Sequence, residues 1–269
     1  MVSGRQPFPG GCALVTGASS GIGAAFVDAL AQQGYDVVLV ARSSEVLEAQ
    51  AQQVARVHHV RARAYAVDLA SEGGVRTLVD RLSADDVSVD LLVNNAGFAT
   101  QGRFDTIEPD QDHRQAYLNV LAVVDLSHAL IPPMVARGHG AVINVGSLGG
   151  FQPAPFLAVY GASKAFVLSF SQALAGELAS SGVRVLALCP GPVMTPFFDK
   201  LGSTDAAVGQ RLTPTAVVEQ ALRGLDRDAR VVVPGWRNRA TSNAARLLPR
   251  RLMVTLAQRS VGLGETDTR

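Results

Sequence analysis

Short apolar runs alternating with longer stretches of helical periodicity constrain this chain more than any other feature. The runs are Cys12–Thr16, Asp36–Ala41, Ala64–Val67, Leu91–Asn94, Ala141–Val145, Val183–Cys189 and Arg230–Val233. Rich in Val and Leu, they read as strands buried on both faces, which only a sheet covered by helices on each side allows. The helix-period segments are Ile22–Gln33, Ser44–Arg56, Glu72–Ser83, Pro109–Ala136, Leu157–Ser180 and Thr215–Leu225. Gly34 and Gly182 sit where helix C-caps belong. The alternation predicts an α/β fold, a doubly wound parallel sheet of about seven strands with helices on both faces. The domain spans 1–235, and 236–269 reads as a basic amphipathic tail rather than a separate domain.

In such sheets ligands bind beyond the carboxyl ends of the strands. The first run leads into Gly17-Ala18-Ser19-Ser20-Gly21-Ile22-Gly23 and then a helix. Glycines allow a tight turn and close approach to a pyrophosphate, and the helix N-terminus offers unpaired N–H groups. A small-residue turn needed only for packing is the competing reading. The second run ends in Arg42-Ser43-Ser44, with no acid to accept from an adenosine ribose. A guanidinium there suits a 2′-phosphate, so NADP(H) is expected over NAD(H). Asp68, beside Leu69 at the end of the third run, is placed to accept from adenine, or else to cap the next helix, as Ser71 could. Asn95, Ala96 and Gly97 end the fourth run, where small residues let a cofactor lie across the strand ends.

Tyr160 and Lys164 lie one helical turn apart and so share a face. A phenol with its ordinary pKa of about 10 shuttles protons poorly at neutral pH, and a neighbouring cation is expected to lower that value. Lys164 and Lys200 are the only lysines in a chain whose positive charge is otherwise arginine. Ser147 follows the fifth run and Asn119 lies within a long helical segment. Singly, each has a plain structural reading, a strand end or a polar helix contact.

Thr16-Gly17-x-x-x-Gly21-x-Gly23, Asn94-Asn95-Ala96-Gly97, Asn119, Ser147, Tyr160-x-x-x-Lys164 and Pro190-Gly191 together, in this order, resemble the short-chain dehydrogenase/reductase family over residues 10–235. The resemblance implies a Rossmann-like, single-domain oxidoreductase moving a hydride between a nicotinamide and a carbonyl or alcohol. It makes Tyr160 the general acid/base and gives Lys164 the nicotinamide ribose and the tuning of the phenol. Ser147 would orient the substrate oxygen, and Asn119 would bend its helix and hold a water that feeds protons to Lys164. Pro190, Gly191, Val193 and Thr195 would pass over the nicotinamide. It further implies a homodimer or homotetramer built on two long helices.

Substrate choice falls to the loops Gly97–Gln101, Gly149–Phe156 and Pro196–Arg211. Phe98, Phe151, Phe156, Phe197 and Phe198 gather there and point to an apolar substrate, with core packing an alternative for Phe156 and Phe198. Carrier-protein ketoacyl reductases of the family usually read Ile-Thr-Arg-Asp where this chain has Phe98-Ala99-Thr100-Gln101. That subgroup remains an alternative, as does a cofactor-sensing protein with a decayed site. The tail reads as two short basic helices divided by Pro249, either a packing arm over the cleft or a peripheral contact with anionic membrane. A net charge of +1 argues against nucleic acid. Cys12 and Cys189 read as reduced core thiols, no metal spacing occurs, and no apolar stretch reaches the roughly 20 residues of a bilayer span. A cytoplasmic enzyme is expected.

Overall fold

The computed structural model describes residues 10–195, 197, 210–247 and 254. Seven strands form one parallel sheet in the order β3-β2-β1-β4-β5-β6-β7. They are β1 Cys12–Thr16, β2 Asp36–Ala41, β3 Ala62–Ala66, β4 Leu91–Asn94, β5 Gly140–Val145, β6 Val183–Leu188 and β7 Val231–Val232. The order reverses between β1 and β4, which opens a crevice at the carboxyl ends on either side of β1.

Alternation along each strand divides the core. Ala13, Val15, Val37, Leu39, Val93 and Ile143 face one layer, packed against Phe26, Val27 and Leu30 of α1 (Gly21–Gln32) and Leu47 of α2 (Ser44–His58). Val217 and Val218 of α7 (Pro214–Asp226) complete that layer. Leu14, Val38, Val40, Leu92 and Val142 point the other way, onto Leu78 and Leu82 of α3 (Gly74–Ala84) and Leu126, Leu130 and Met134 of α5 (Ala122–Arg137). Removing most of a side chain such as Leu126 would cost about 2–5 kcal/mol. The edge strand β3 departs from the fully buried reading: Tyr65 is its one buried residue, and Arg63 lies at the surface.

Gly34 ends α1 as expected. It takes a left-handed φ of 83°, with Tyr35 N–H reaching Leu30 O and Gly34 N–H reaching Ala31 O. Gly182 does something else. Helix α6 (Ala158–Glu177) has already ended at Leu178, and a Cβ on Gly182 would lie 2.0 Å from Gly138 O. Its lack of a side chain serves close approach between two turns.

The predicted helix 109–136 is continuous from Pro109 to Arg137, but it is not uniform. Between α4 (Pro109–Ala116) and α5, residues Tyr117–Leu121 widen into a π turn. Contrary to the sequence expectation, this helix is long and apolar enough to cross a bilayer, the one such helix among the described residues. The polar first turns join an apolar second half, and the face carrying Leu126, Ile131 and Met134 is buried against the sheet. The tail begins as α8 (Trp236–Leu247), which packs on the domain. The second tail helix lies outside the described residues.

Candidate active site

The turn after β1 is shaped by contacts that exclude side chains. Gly17 and Gly21 hold φ of 65° and 57°. A Cβ on Gly23 would lie 2.1 Å from Gly17 O, so α1 starts directly against the turn. Thr16 Oγ1 accepts the Asn95 and Ala96 N–H groups, both at 2.9 Å. Asn95 Nδ2 donates to Thr16 O at 2.9 Å and Gly17 O at 3.3 Å. Asn95 thus braces the turn from β4. The first turn of α1 holds no acid, and Ser20, its N-cap, makes no side-chain cap. A narrow cradle with free N–H groups at a positive helix end fits a diphosphate. Ser19, Ser20 and Ile22 line the same turn.

Arg42 follows β2, exposed and without an ion pair or hydrogen bond among the described residues. Ser43 is the N-cap of α2, and Ser44 Oγ turns away to Glu48 at 2.6 Å. Asp68 is partly engaged. Its Oδ2 pairs with Arg114 Nη2 at 2.9 Å and its Oδ1 accepts Ala70 N–H at 3.0 Å. Neither Asp68 nor Ser71 caps α3. Gly73 is its N-cap, and Ser71 Oγ donates back to Asp68 O. The neighbouring Leu69 is buried.

Asn119, Ser147, Tyr160 and Lys164 converge beyond β4 and β5. Lys164 is buried, and its Nζ donates to Val145 O at 2.8 Å while standing 5.8 Å from the centre of the Tyr160 ring. Burial pushes the Lys164 ammonium down to about 8, against a smaller opposing effect of Cys189. Burial also pushes the Tyr160 phenol up, opposed by a hydrogen bond with Ser147. In the ligand-free chain the phenol is thus shifted opposite to the lowering that a neighbouring cation would give. The ammonium faces the ring and is held by a carbonyl, so desolvation dominates both groups.

Asn119 lies in the π turn, the kind of irregularity at which helices bend. Its side chain, however, is spent on protein. Oδ1 accepts Phe98 N–H at 3.2 Å, and Nδ2 donates to Phe98 O at 3.0 Å and Ser163 Oγ at 3.1 Å. Both amide protons are taken, which leaves the second lone pair of Oδ1 for a water. Ser163, which sequence reasoning missed, donates on to Tyr160 O at 2.7 Å and links the π turn to α6. Gly97 fits between: a Cβ there would lie 2.9 Å from Asn119 Oδ1 and 3.5 Å from Lys164 Nζ. Ser147 also accepts Gly149 N–H, starting the short helix Leu148–Phe151, so its structural and chemical readings coexist. Behind the site, Asn94 Nδ2 donates to Asn144 Oδ1 at 2.8 Å, and Asn144 Nδ2 to Ser171 Oγ at 3.0 Å.

On the substrate side, Phe98 and Phe156 are half-buried, and Phe197 stands 5.8 Å from the Tyr160 ring. Phe151 packs against the cluster of Leu148, Leu168 and Cys189, so it is partly core. Phe156 has a left-handed φ of 64°, and its carbonyl accepts Gly102 N–H. It lines a hollow of about 230 Å³ with Thr100, Phe104 and Ile107. Phe198 lies outside the described residues. From β6, Pro190–Thr195 runs back across the sheet edge until Thr195 Cγ2 would touch a Cβ on Gly21, at 3.0 Å. Val193 is bridged to Leu212 on the way. Among the described residues no three His, Cys, Asp or Glu gather as metal ligands. Cys189 is buried and Cys12 half-buried, its thiol pushed up to about 12 by burial and by Asp36 and Asp90.

A parallel sheet whose switch point holds a glycine cradle, beside a half-buried Tyr160 and a buried Lys164, defines a nucleotide-dependent oxidoreductase. The profile of the short chain dehydrogenase family matches residues 11–206. The chain is 32% identical over 227 residues to the very-long-chain 3-oxoacyl-CoA reductase of Bos taurus, covering 82% of this chain and 70% of that one. A short-chain dehydrogenase from Sphingobium yanoikuyae in complex with NADPH superposes with a TM-score of 0.80 at 32% identity, over 96% of this chain and 98% of the other. The bulky-bulky ketone specific alcohol dehydrogenase from Comamonas testosteroni gives 0.77 at 28% identity, over 98% and 97%. This chain belongs to the short-chain dehydrogenase/reductase family, oxidoreductases acting on alcohol and ketone groups.

Proposed function

We propose that this chain is an NADP(H)-dependent carbonyl reductase or alcohol dehydrogenase for a small, apolar substrate. The preference for NADP(H) is carried by Arg42, an exposed guanidinium at the end of β2 that the chain leaves unpaired among its described residues. The NADPH bound by the Sphingobium relative supports it. The nicotinamide, when bound, supplies or takes the hydride. Tyr160 gives its proton to the carbonyl oxygen, and a phenol raised by burial keeps that proton until the oxygen becomes basic. Ser147 donates to the same oxygen and orients it. Lys164 stands behind Tyr160 as the group that returns the proton.

The apolar substrate is supported by Phe197 against the Tyr160 ring and by Phe156 in the nearby hollow, and the ketone class by the Comamonas relative. A 3-oxoacyl thioester is a second reading, favoured by the Bos taurus relative. Oxidation of NADPH and NADH against a panel of ketones and 3-oxoacyl thioesters tests both. Tyr160→Phe should lower the rate by about 10²–10⁴, and full activity in that variant would remove Tyr160 from its role. Arg42→Asp should weaken NADPH far more than NADH; equal weakening would overturn the phosphate assignment.

The same reading includes a cytoplasmic homodimer or homotetramer. Light scattering behind a sizing column tests the assembly, and a monomer at micromolar concentration would refute it. Residues 236–247 are read as a packing arm. Cosedimentation with anionic vesicles at low salt would instead reveal peripheral membrane contact.

A further inference from the structure

The first turn of α8 buries an asparagine that has no part in the reading above. Asn238 has no solvent exposure. Its Oδ1 accepts Gln210 N–H at 2.8 Å, while Nδ2 donates to Gln210 O at 3.1 Å and Pro234 O at 2.8 Å. The amide therefore grips both backbone groups of Gln210, as a neighbouring strand would. Its other side rests on Gly191, where a Cβ would lie 2.7 Å from Nδ2 and 2.9 Å from Oδ1.

Gly191 and Gln210 begin the two sides of a narrow ladder. Leu212 N–H donates to Pro192 O at 3.1 Å, and Met194 N–H to Leu212 O at 2.9 Å. The ladder ends where Thr195 meets Gly21. Pro190 and Pro192 restrict the near end, because each ring holds φ near −65°. Gln220 of α7 steadies the base of α8 by accepting Gly235 N–H at 3.1 Å. One buried side chain thus sets the height of a stiff arm whose far end rests on the glycine turn.

We propose that Asn238 is a positioning residue for the nicotinamide end of the dinucleotide site. The proposal rests on the cofactor reading above, in which Val193 and Thr195 meet the nicotinamide. Arg42 and Asp68, which would meet the adenosine end, follow β2 and β3 on the opposite side of β1. They share no hydrogen bond with Asn238. Loosening the arm should therefore weaken ligands that carry a nicotinamide and spare those that do not.

Calorimetric titration with NADPH and with 2′,5′-ADP, which has only the phosphorylated adenosine end, separates the two. Asn238→Ala should bind NADPH about tenfold more weakly and 2′,5′-ADP within about twofold of the unmodified chain. Asn238→Asp should do no better, since a carboxylate cannot donate to Gln210 O and Pro234 O. Asn238→Gln, whose longer stem moves the amide out of register with Gln210, should give the same split and carries the test if Asn238→Ala fails to fold. Equal weakening of both ligands, as from general loosening, overturns the proposal, and so does unchanged NADPH affinity. An unmodified chain that binds neither ligand would instead refute the cofactor reading itself.

Discussion

The two halves of the ligand-binding edge are built by opposite means. Left of the switch point, the turn after β1 is defined mainly by what is missing, with Asn95 bracing its entry: Gly17, Gly21 and Gly23 sit where a Cβ would meet backbone or neighbouring atoms at 2.1–3.0 Å. To the right, loops are held by what has been added. Asn119 grips both backbone groups of Phe98, Gln115 accepts Thr100 N–H, and Asn238 grips both backbone groups of Gln210. A turn fixed by steric exclusion admits one backbone path. A loop fixed by an amide staple can be re-aimed by moving the staple, which suits the half that must suit a particular substrate.

The contrast can be broken most forcefully at Gly23. Gly23→Ala should cost about 3 kcal/mol and weaken dinucleotide binding about a hundredfold, because the obstructing atom is the Gly17 carbonyl, which cannot swing away. Denaturant melts and calorimetry would check this; a variant that binds normally would show that the turn can flex. Next is Asn119→Leu, which strands Phe98 N–H and O and removes a partner from Ser163. About 2 kcal/mol of stability should be lost. Activity should fall while 2′,5′-ADP binding persists, since the staple belongs to the right half alone.

The smallest effect is electrostatic. Lys164 is held at about 8 in the fold against an ordinary 10.5. Between those values the unfolded chain keeps a proton that the folded chain has shed, so stability rises with pH in that window. Tyr160 is raised and Cys12 is held near 12, so both work in the opposite sense, Cys12 from about pH 9 and Tyr160 from about pH 10. The ligand-free chain should therefore gain up to about 1 kcal/mol from pH 8 to 9. Lys164→Met should abolish the gain, which thermal melts would detect. Reductase activity should decline over the same interval as Lys164 loses its proton.

The same contrast explains what could be read from the sequence. Steric exclusion leaves glycine as the one acceptable residue, so the cradle was visible at Gly17, Gly21 and Gly23. Tyr160 and Lys164 were visible because helical spacing alone places them on one face. Of the staples only Asn119 stood out, through the family pattern; Gln115 and Asn238 did not. Asn and Gln occur everywhere, and nothing near Asn238 or Gln115 in the chain announces a partner 28 or 15 residues away. Gly182 misled because a glycine that ends a helix and one that admits a neighbouring turn look alike in one dimension. The direction of the Tyr160 shift was missed because it depends on burial, and spacing carries no information about that. Strand β3 was overread because Val67, which gave the run its apolar character, lies beyond its end.

The Asn94–Asn144 pair bears on assembly of the molecule. Strands buried on both faces carry Val, Leu and Ile on each side, so one hydrocarbon can replace another if neighbours slide past one another. Two buried amides remove that tolerance: only the alignment that sets Asn94 beside Asn144 lets their polar groups meet. Every other alignment strands them in hydrocarbon. The pair thus favours the one alignment that sets the ends of β4 and β5 level beside the site.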